Sequence, residues 1–241
     1  MRKSISAIFS TMLVTSVPTL AAAGSLQVTP VSLDLPPSAS SATIRLRNEG
    51  AAPLNAQIRV FRWMQENGEE KLVTTDEVVA SPPIATLAGK TDYTVRVVRV
   101  SKEPLKASSY RLVVDELPEK SQQKDGVVNI VLRYSIPVFF YSAEAERPKL
   151  TWSVTQRGSR LYVSAKNDGD RHVRLAGLKL QTANGSAISL GEGLAGYVLG
   201  HSTMNWAAPH SKRPTGGTSV AITALSDSGP ISASAVMQQA R

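Results

Sequence analysis

The chain has 241 residues, of which 19% are charged and 42% are hydrophobic, and it contains no cysteine. This composition predicts a globular protein that is long enough to form a hydrophobic core, and it excludes disulfides, cysteine nucleophiles and thiolate metal sites. The formal net charge is +8, but the basic residues are spread over strand-like segments, which argues against nucleic acid as a partner.

The N-terminal residues have the features of an export signal. Arg2 and Lys3 are followed by an apolar stretch that ends in the small residues Ala21–Ala23, a pattern typical of a cleavage site. A retained membrane anchor is the alternative, but the apolar stretch is short and is interrupted by Pro18. We therefore expect cleavage after Ala23, export to a bacterial periplasm and no membrane insertion.

Residues 26–140 consist of short segments in which apolar and polar side chains alternate, separated by turn residues. Such alternation indicates about seven β-strands, and no segment has a sustained helical period. Asn67-Gly68 is the dipeptide with the strongest short-range preference for a hairpin, whereas residues 81–90 are interpreted as a loop with a short apolar piece. The pattern predicts an immunoglobulin-like Greek-key β-sandwich without its disulfide.

The composition changes after residue 140, where small and charged residues precede Pro148. We interpret this stretch as a linker. Strand-like segments resume at Leu150 and include a second hairpin signal, Asn184-Gly185. The predicted organisation is a signal peptide (1–23), a first domain (24–142), a linker (143–148) and a smaller all-β second domain (149–241).

Residues 127–140, VVNIVLRYSIPVFF, form the most apolar strand-like segment of the first domain. Pro137 cannot donate a ladder hydrogen bond and favours a sheet edge, and Arg133 would need a partner if it were buried. An apolar edge strand favours pairing with a strand of another protein. The alternative is that the apolar face is only core; this even-numbered row comprises Val128, Ile130, Leu132, Tyr134, Ile136, Val138 and Phe140.

The sequence contains no catalytic or metal-binding motif. The three histidines, His172, His201 and His210, lack metal-ligand spacing and are interpreted as exposed loop or strand residues. A Ser-x-x-Lys match at Ser121–Lys124 lies in a polar loop without the helix or the companion motifs that such a site requires. We therefore predict no enzyme, such as an exported hydrolase, and neither cofactor nor metal.

Six segments of the chain, in order, resemble the periplasmic pilus chaperones of the chaperone–usher pathway, most closely the archaic, spore-coat-type branch. The resemblance covers residues 25–141 and only the outline of the second domain. It implies two immunoglobulin-like domains in an L-shaped arrangement, and pilus subunits and an outer-membrane usher as partners. The segments are SLQVTPVSLDLP, ATIRLRNEG, IRVFRWMQENGE, SPPIATLAGKTDYTVRV, YRLVVDELP and LRYSIPVFF.

The resemblance implies that the last strand of the first domain is donated to a pilus subunit whose own sandwich lacks its final strand. On this basis Val128, Ile130 and Leu132, together with Tyr134, fill the open groove of the subunit. Exchange for the N-terminal extension of another subunit would then release the chaperone. Self-association of the free protein through the same edge is a further expectation.

The sequence departs from the better-known branch of the family at the anchor for the subunit's C-terminal carboxylate. That branch uses an arginine on the first strand and a lysine near the end of the last strand, and the aligned residues here are Pro30 and Pro137. Because arginine can bind a carboxylate bidentately, Arg96, Arg111 and Arg133 are candidate replacements. The sequence does not distinguish among these three.

A secreted two-domain β-sandwich that binds carbohydrate or another extracellular ligand is the alternative function. Trp63, Trp152 and Trp206 are the residues that would stack on a sugar. Tryptophans of a sandwich belong more often to its core, in which case this alternative loses its binding site.

Overall fold

The computed structural model describes residues 25–100, 107–118, 131–182, 187–209 and 217–239. Within these ranges the regular structure consists of β-strands, and no helix that could cross a membrane is found there. The predicted export signal, the donor residues Val128 and Ile130 and the hairpin signal Asn184-Gly185 lie outside the described residues.

The first ten strands form a two-sheet sandwich. Their bounds are β1 Leu26–Thr29, β2 Leu33–Leu35, β3 Ser41–Asn48, β4 Leu54–Glu66, β5 Glu69–Thr74, β6 Val78–Ser81, β7 Ile84–Leu87, β8 Asp92–Arg99, β9 Ala107–Leu117 and β10 Arg133–Tyr141. One sheet has the order β1-β3-β8-β6, and the other has the order β2-β10-β9-β4-β5 with β7 also paired to β4. The buried alternate residues of both sheets form one core between them.

Ten strands replace the expected seven because of three differences, one of which is the short strand β6 (Val78–Ser81), for which no strand was predicted. The first predicted segment is divided at Pro30 into β1 and β2, which enter different sheets. Residues 81–90 are only partly a loop, because β7 pairs with β4 and buries Ala85 and Leu87. β7 is short and directly follows two prolines, so the sequence pattern did not indicate a strand here. Its alternate residues nevertheless complete the core.

The Asn67-Gly68 hairpin is confirmed. β4 and β5 are joined by these two residues alone, with Glu66 opposite Glu69. Asn67 and Gly68 have φ angles of 55° and 82°, and positive φ at both central positions is the requirement of a type I′ turn, whose twist matches that of the strands. The sequence signal therefore corresponds to a tight two-residue turn.

The remaining eight strands form the second sandwich. Their bounds are β11 Leu150–Arg157, β12 Arg160–Asn167, β13 Val173–Thr182, β14 Ala187–Ser189, β15 Leu194–Val198, β16 Ser202–Pro209, β17 Ser219–Ser226 and β18 Gly229–Gln239. The strand order is β14-β13-β17-β18-β11-β12-β16, with β15 also paired to β13. β18 lies in the tail that sequence patterns leave unassigned, and it pairs with β17 along most of its length and with β11 at its end.

Candidate functional site: the free edge of β10 and the interdomain cleft

β10 has neighbours of unequal length on its two sides. β9 pairs with it antiparallel from Arg133 to Tyr141, whereas β2 pairs with it in parallel only from Val138 to Phe140. In the described structure the segment Arg133–Pro137 therefore has an open edge. The edge position expected from Pro137 is observed for this segment but not for Val138–Phe140, which lie inside the sheet.

The even-numbered row of β10 faces the core of the first sandwich. Ile136, Val138 and Phe140 are buried, while Leu132 and Tyr134 are half-buried and pack against the same core. The hydroxyl of Tyr134 also donates a hydrogen bond to the carbonyl of Leu26 at 2.6 Å. Burial of this row thus decreases toward the start of β10, next to the predicted donor residues that the structure does not describe.

Arg133 is balanced by an acidic residue on the neighbouring strand. The Asp115 carboxylate accepts hydrogen bonds from Nε of Arg133 and, at 2.6 Å, from Nη2 of Arg59. Burial favours a raised pKa of Asp115, but the hydrogen bonds from Arg133 and Arg59 outweigh it and hold the pKa below its ordinary value. Arg133 is therefore ion-paired within the sheet, although it shares the single carboxylate with Arg59.

Arg96 lies apart from the other two candidate anchors. It is an exposed residue of β8, in the sheet that does not contain β10, and its Nη2 donates to the hydroxyl of Ser41 at 3.1 Å. The structure therefore does not bring Arg96 together with the free edge of β10.

Arg111 lies in the cleft between the two sandwiches. It is opposite Pro137 in the β9–β10 ladder, and its guanidinium carbon lies 3.6 Å from the ring centroid of Trp63 and 5.4 Å from that of Tyr197. The side chain is 12% exposed, and its ion pair with Glu70 is long, at 3.6 Å. Burial lowers the pKa of Arg111 below its ordinary value.

An aromatic and aliphatic cluster, here called the cleft cluster, fills the contact between the sandwiches. Trp63 and Tyr197 meet edge to face with ring centroids 5.3 Å apart, and Phe139 lies 5.9 Å from Trp63. The indole N–H of Trp63 is buried and has no hydrogen-bond acceptor among the described residues. The members of the cleft cluster are Trp63, Phe139, Tyr141, Tyr197 and Leu199.

His172 belongs to this contact rather than to the exposed surface, so the interpretation of it as an exposed histidine is wrong. Its ring stacks on Phe139 with centroids 3.6 Å apart, and its Nδ1 shares a hydrogen bond with the hydroxyl of Tyr141. Burial lowers the pKa of His172 to about 4, so the ring is neutral near neutral pH. Local sequence carries no signal for this position, because the contact is made across the two domains.

The β4–β5 hairpin forms a second connection between the sandwiches. The buried amide of Gln65 donates to the carbonyl of Tyr197 at 2.7 Å and accepts from the backbone N–H of Leu199 at 3.0 Å. At the turn, the carbonyl of Gly68 accepts from the backbone N–H of Asn205 at 3.1 Å. A Cβ atom at Gly68 would lie 1.8 Å from Asn205 Nδ2, so the Asn205 side chain would have to move, and the φ angle of 82° itself favours glycine in this turn.

Arg174 of the second sandwich also reaches the cleft, and the sequence patterns missed it. It lies directly opposite Tyr197 in the β13–β15 ladder, donates a side-chain hydrogen bond to Tyr197, and contacts Asp227 at 3.4 Å. Burial raises the pKa of Tyr197, opposed by the positive charges of Arg111 and Arg174. Alternation alone places Arg174 on a face of a strand but does not indicate what that face contacts.

The tryptophans do not provide an open platform for a sugar. Trp63 and Trp206 are buried, and the indole N–H of Trp206 donates to the carbonyl of Ala195 at 2.8 Å. Trp152 is half-buried and stacks on Trp206 with ring centroids 6.4 Å apart. Within the described ranges, no group of three or more histidine or acidic residues is arranged to hold a metal ion.

Comparison with known proteins identifies the family. The model for the N-terminal domain of PapD-type pili and flagellar-assembly chaperones matches residues 25–145. The chain belongs to this family of pilus chaperones. The family is a class of chaperones rather than of enzymes, and its members are periplasmic proteins. No curated protein sequence matches the chain.

Solved structures of pilus chaperones cover nearly the whole chain. The CsuC–CsuE chaperone–tip adhesion subunit pre-assembly complex, from the archaic chaperone–usher Csu pili of Acinetobacter baumannii, matches with 27% identity, a TM-score of 0.67 and coverage of 90% of this chain and 99% of the other. The E. coli chaperone DraB matches with 19% identity, a TM-score of 0.58 and coverage of 87% and 98%. The Salmonella enterica complex of SafA pilin with the SafB chaperone matches with 17% identity, a TM-score of 0.58 and coverage of 89% and 98%.

These neighbours confirm the all-β fold of two immunoglobulin-like sandwiches that the sequence predicts. The Csu neighbour comes from an archaic system, which agrees with the branch that the resemblance indicated. This PapD-type chaperone thus has a sandwich of known type with a free edge on β10.

Proposed function

We propose that this chaperone binds incomplete pilus subunits in the periplasm by donating strand 127–140, and that it delivers them to an outer-membrane usher. The observation that carries the proposal is the free edge of β10 from Arg133 to Pro137, in a chain that belongs to the pilus chaperone family. An open edge offers unpaired backbone N–H and C=O groups to a strand of another protein.

The energy for holding the subunit comes from the apolar row of the donated strand. Burial of a Val, Ile or Leu side chain contributes about 1.5–3 kcal/mol, so Val128, Ile130 and Leu132 together contribute about 5–9 kcal/mol before the cost of association. Leu132 is already half-buried against its own domain, and Val128 and Ile130 therefore supply the larger share in this proposal. The hydroxyl of Tyr134 is hydrogen-bonded to the carbonyl of Leu26, so in this proposal Tyr134 marks the C-terminal end of the residues that are donated.

Among the candidate arginines we propose Arg111 as the anchor of the subunit's C-terminal carboxylate. Arg133 is already ion-paired with Asp115 at short distance, and Arg96 belongs to the other sheet. Arg111 instead lies in the cleft against the rings of Trp63 and Tyr197, and its acidic partner among the described residues, Glu70, is 3.6 Å away. A carboxylate that binds the guanidinium directly would gain shorter, charge-assisted hydrogen bonds in a partly desolvated site.

The remaining proposals concern organisation and assembly. We propose that the export signal is cleaved after Ala23 and that residues 143–148 link domains 24–142 and 149–241. β10 ends at Tyr141 and β11 begins at Leu150, which supports this division. The free edge of β10 can also pair with a second copy, so we propose self-association of the unliganded protein.

Ile130→Asp tests the donor strand. Because a buried unpaired carboxylate is costly, this variant should remain a folded protein but lose co-purification of its subunit from the periplasm. Asn129→Asp is the matched control, since it adds the same charge to the opposite face of the strand and should retain the subunit. If Ile130→Asp recovers the subunit at the wild-type level, donation through this row is wrong.

A further inference from the structure

We propose that the tip of the β11–β12 hairpin, residues 157–160, binds the headgroups of an anionic phospholipid surface. The hairpin belongs to the second sandwich and contributes no residue to the cleft cluster or to the free edge of β10. A membrane site at this tip is therefore independent of the proposed donor strand.

Two arginines face each other across the tip. Arg157 of β11 is the direct cross-strand partner of Arg160 of β12, and all four residues of the tip are exposed. Like charges in directly opposite positions destabilise a sheet. Among the residues that the structure describes, neither guanidinium has an acidic partner. The pair is therefore unfavourable in the isolated protein, and a bound anion would remove its repulsion.

The acidic residues of the second domain are few and have other partners. Residues 143–241 contain 11 Lys and Arg residues but only six Asp and Glu residues, whereas residues 24–142 contain 14 and 13. The excess of positive charge thus belongs to the second domain and favours contact with an anionic surface. Four of its six acids have partners far from the tip in the chain, in the pairs Glu146–Lys149, Asp168–Lys166, Asp170–His201 and Asp227–Arg174.

The tip is held in one conformation by its neighbours. Gly158 has a φ angle of 56°, and a glycine with positive φ at the first central position is typical of a type II′ hairpin turn. The buried side chain of Gln156 donates a hydrogen bond to the carbonyl of Gly158 at 3.1 Å. Arg157 lies over the ring of Tyr162, with its guanidinium carbon 5.6 Å from the ring centroid, so its charge is directed along the outer face of the sheet.

The shape of the tip favours a membrane over a protein partner. A Cβ atom at Gly158 would have no neighbouring atom within 4 Å, so the turn projects into open space. A specific protein interface buries about 800 Å² on each partner, which a projecting two-residue turn does not supply. Headgroups can instead surround the turn, and the half-buried Tyr162 beside it is a residue type enriched at membrane interfaces.

The tip lies at the end of the hairpin that is remote from the cleft. At the other end, Leu150 pairs with Asn167, whose side chain donates to the carbonyl of Leu199 in the cleft cluster at 3.2 Å. Seven residues of strand separate Leu150 from Arg157, a distance of about 23 Å. A chaperone held at the tip would therefore remain at the membrane surface while its cleft stays accessible.

The test measures co-sedimentation of the full-length chaperone with phospholipid vesicles at about 0.1 M salt. One set of vesicles contains equal parts of phosphatidylglycerol and phosphatidylcholine, and the other contains phosphatidylcholine alone. We expect the wild type to bind only the anionic vesicles. Each basic residue near an anionic surface contributes about fivefold in affinity, so Arg157→Gln/Arg160→Gln should bind about 25-fold more weakly.

Lys149→Gln/Lys166→Gln is the matched control, because it removes the same charge from the same domain. Both lysines are ion-paired and lie at the Leu150 end of the hairpin, farther from the tip than the screening length of about 10 Å. This variant should bind the anionic vesicles within about twofold of the wild type.

Two further measurements separate charge recognition from folding. Arg157→Lys/Arg160→Lys keeps both charges and should keep the binding, because a headgroup layer requires positive charge rather than a bidentate geometry. Arg157→Gln/Arg160→Gln should unfold at the temperature of the wild type or slightly above it, because it removes a repulsive pair. A loss of vesicle binding in a fully stable variant would support the site.

Three results would overturn the site. They are equal sedimentation of the wild type with anionic and neutral vesicles, wild-type affinity in Arg157→Gln/Arg160→Gln, and release from the vesicles by inorganic phosphate beyond that by chloride at matched ionic strength. The last result would assign the tip to a free phosphate instead. Each of these variants should still co-purify the pilus subunit at the wild-type level, so a failure of the membrane site leaves the proposed function standing.

Discussion

The two halves of β10 have contrasting surroundings although they belong to one continuous strand. From Val138 to Phe140 the strand lies between β2 and β9, and Phe139 and Tyr141 enter the cleft cluster on its outer face. From Arg133 to Pro137 one edge is open, and the outer face carries the ion pair of the exposed Arg133 with the buried Asp115 instead. The comparison shows how one strand can pair with a partner and still remain in its own sheet. Val138–Phe140 are held between two neighbouring strands, while Arg133–Pro137 have one unpaired edge.

The largest effect is expected in the covered half of β10, Val138–Phe140, which has a neighbouring strand on each side. Phe139→Ala removes a fully buried ring from between Trp63 and His172, and the free energy of unfolding should fall by about 3–5 kcal/mol. Ser135→Ala, on the same face of the open half, should change it by less than about 0.5 kcal/mol. Urea unfolding followed by tryptophan fluorescence measures both; equal losses would contradict the division of the strand.

A pH titration sharpens the same comparison at His172, which stacks on the covered half. Its pKa is about 4 in the folded protein against an ordinary value of 6.5. Between these values the unfolded chain binds a proton that the folded chain does not bind, so stability should fall as the pH drops through this window. The titration of His172 can change the free energy of unfolding by at most about 3 kcal/mol.

His172→Phe keeps a stacked ring and removes the titration. The variant should therefore lose part of the fall in stability between about pH 6.5 and about pH 4, measured as urea midpoints at a series of pH values. Should the variant and the wild type show the same pH slope, the histidine is not the group responsible.

The smallest expected effect lies on the open half. Asp115→Asn weakens the contacts with Arg59 and Arg133, whose side chains are 42% and 69% exposed, and should cost about 1 kcal/mol. Because the pKa of Asp115 is lowered from 3.8, the carboxylate stabilises the wild type above that value. The difference between wild type and variant should vanish as the pH falls through the lowered pKa.

Asp92→Asn is the control for that measurement, since Asp92 forms an ion pair with Arg47 in which both side chains are exposed. It should have almost no effect on the urea midpoint. A loss at Asp115→Asn that persists in strong acid would show that packing, rather than charge, holds the open half.

The local sequence pattern was sufficient to predict those features that depend only on residues nearby in the chain. Asn67-Gly68 predicted a tight hairpin because only its own φ angles matter, and Pro137 predicted an edge because it lacks an N–H. The same alternation could not separate Arg111 from Arg133, since both alternate with apolar residues on strands. Their difference arises from cross-domain contacts with Tyr197 and cross-strand contacts with Asp115, which leave no local periodicity.

The contacts of Gln65 and His172 were missed for the same reason. Gln65 has the pattern of any other residue of its strand, and its role depends on the carbonyl of Tyr197 in β15 and on the N–H of Leu199, which follows β15. His172 follows a turn rich in polar residues, and nothing near it in sequence indicates that Phe139 lies against its ring.

Through β4, the β4–β5 hairpin connects the second sandwich not only to the first sandwich but also to the free edge of β10. The strand runs from Leu54 beside β7 to Glu66 at the second sandwich, it is the immediate neighbour of β9, and β9 is the immediate neighbour of β10. A torque on the second sandwich would pass through Gln65 into β4 and from there, across two hydrogen-bonded ladders, to the free edge. A protein that binds the second domain can therefore act, through these contacts, on the strand proposed to bind the subunit.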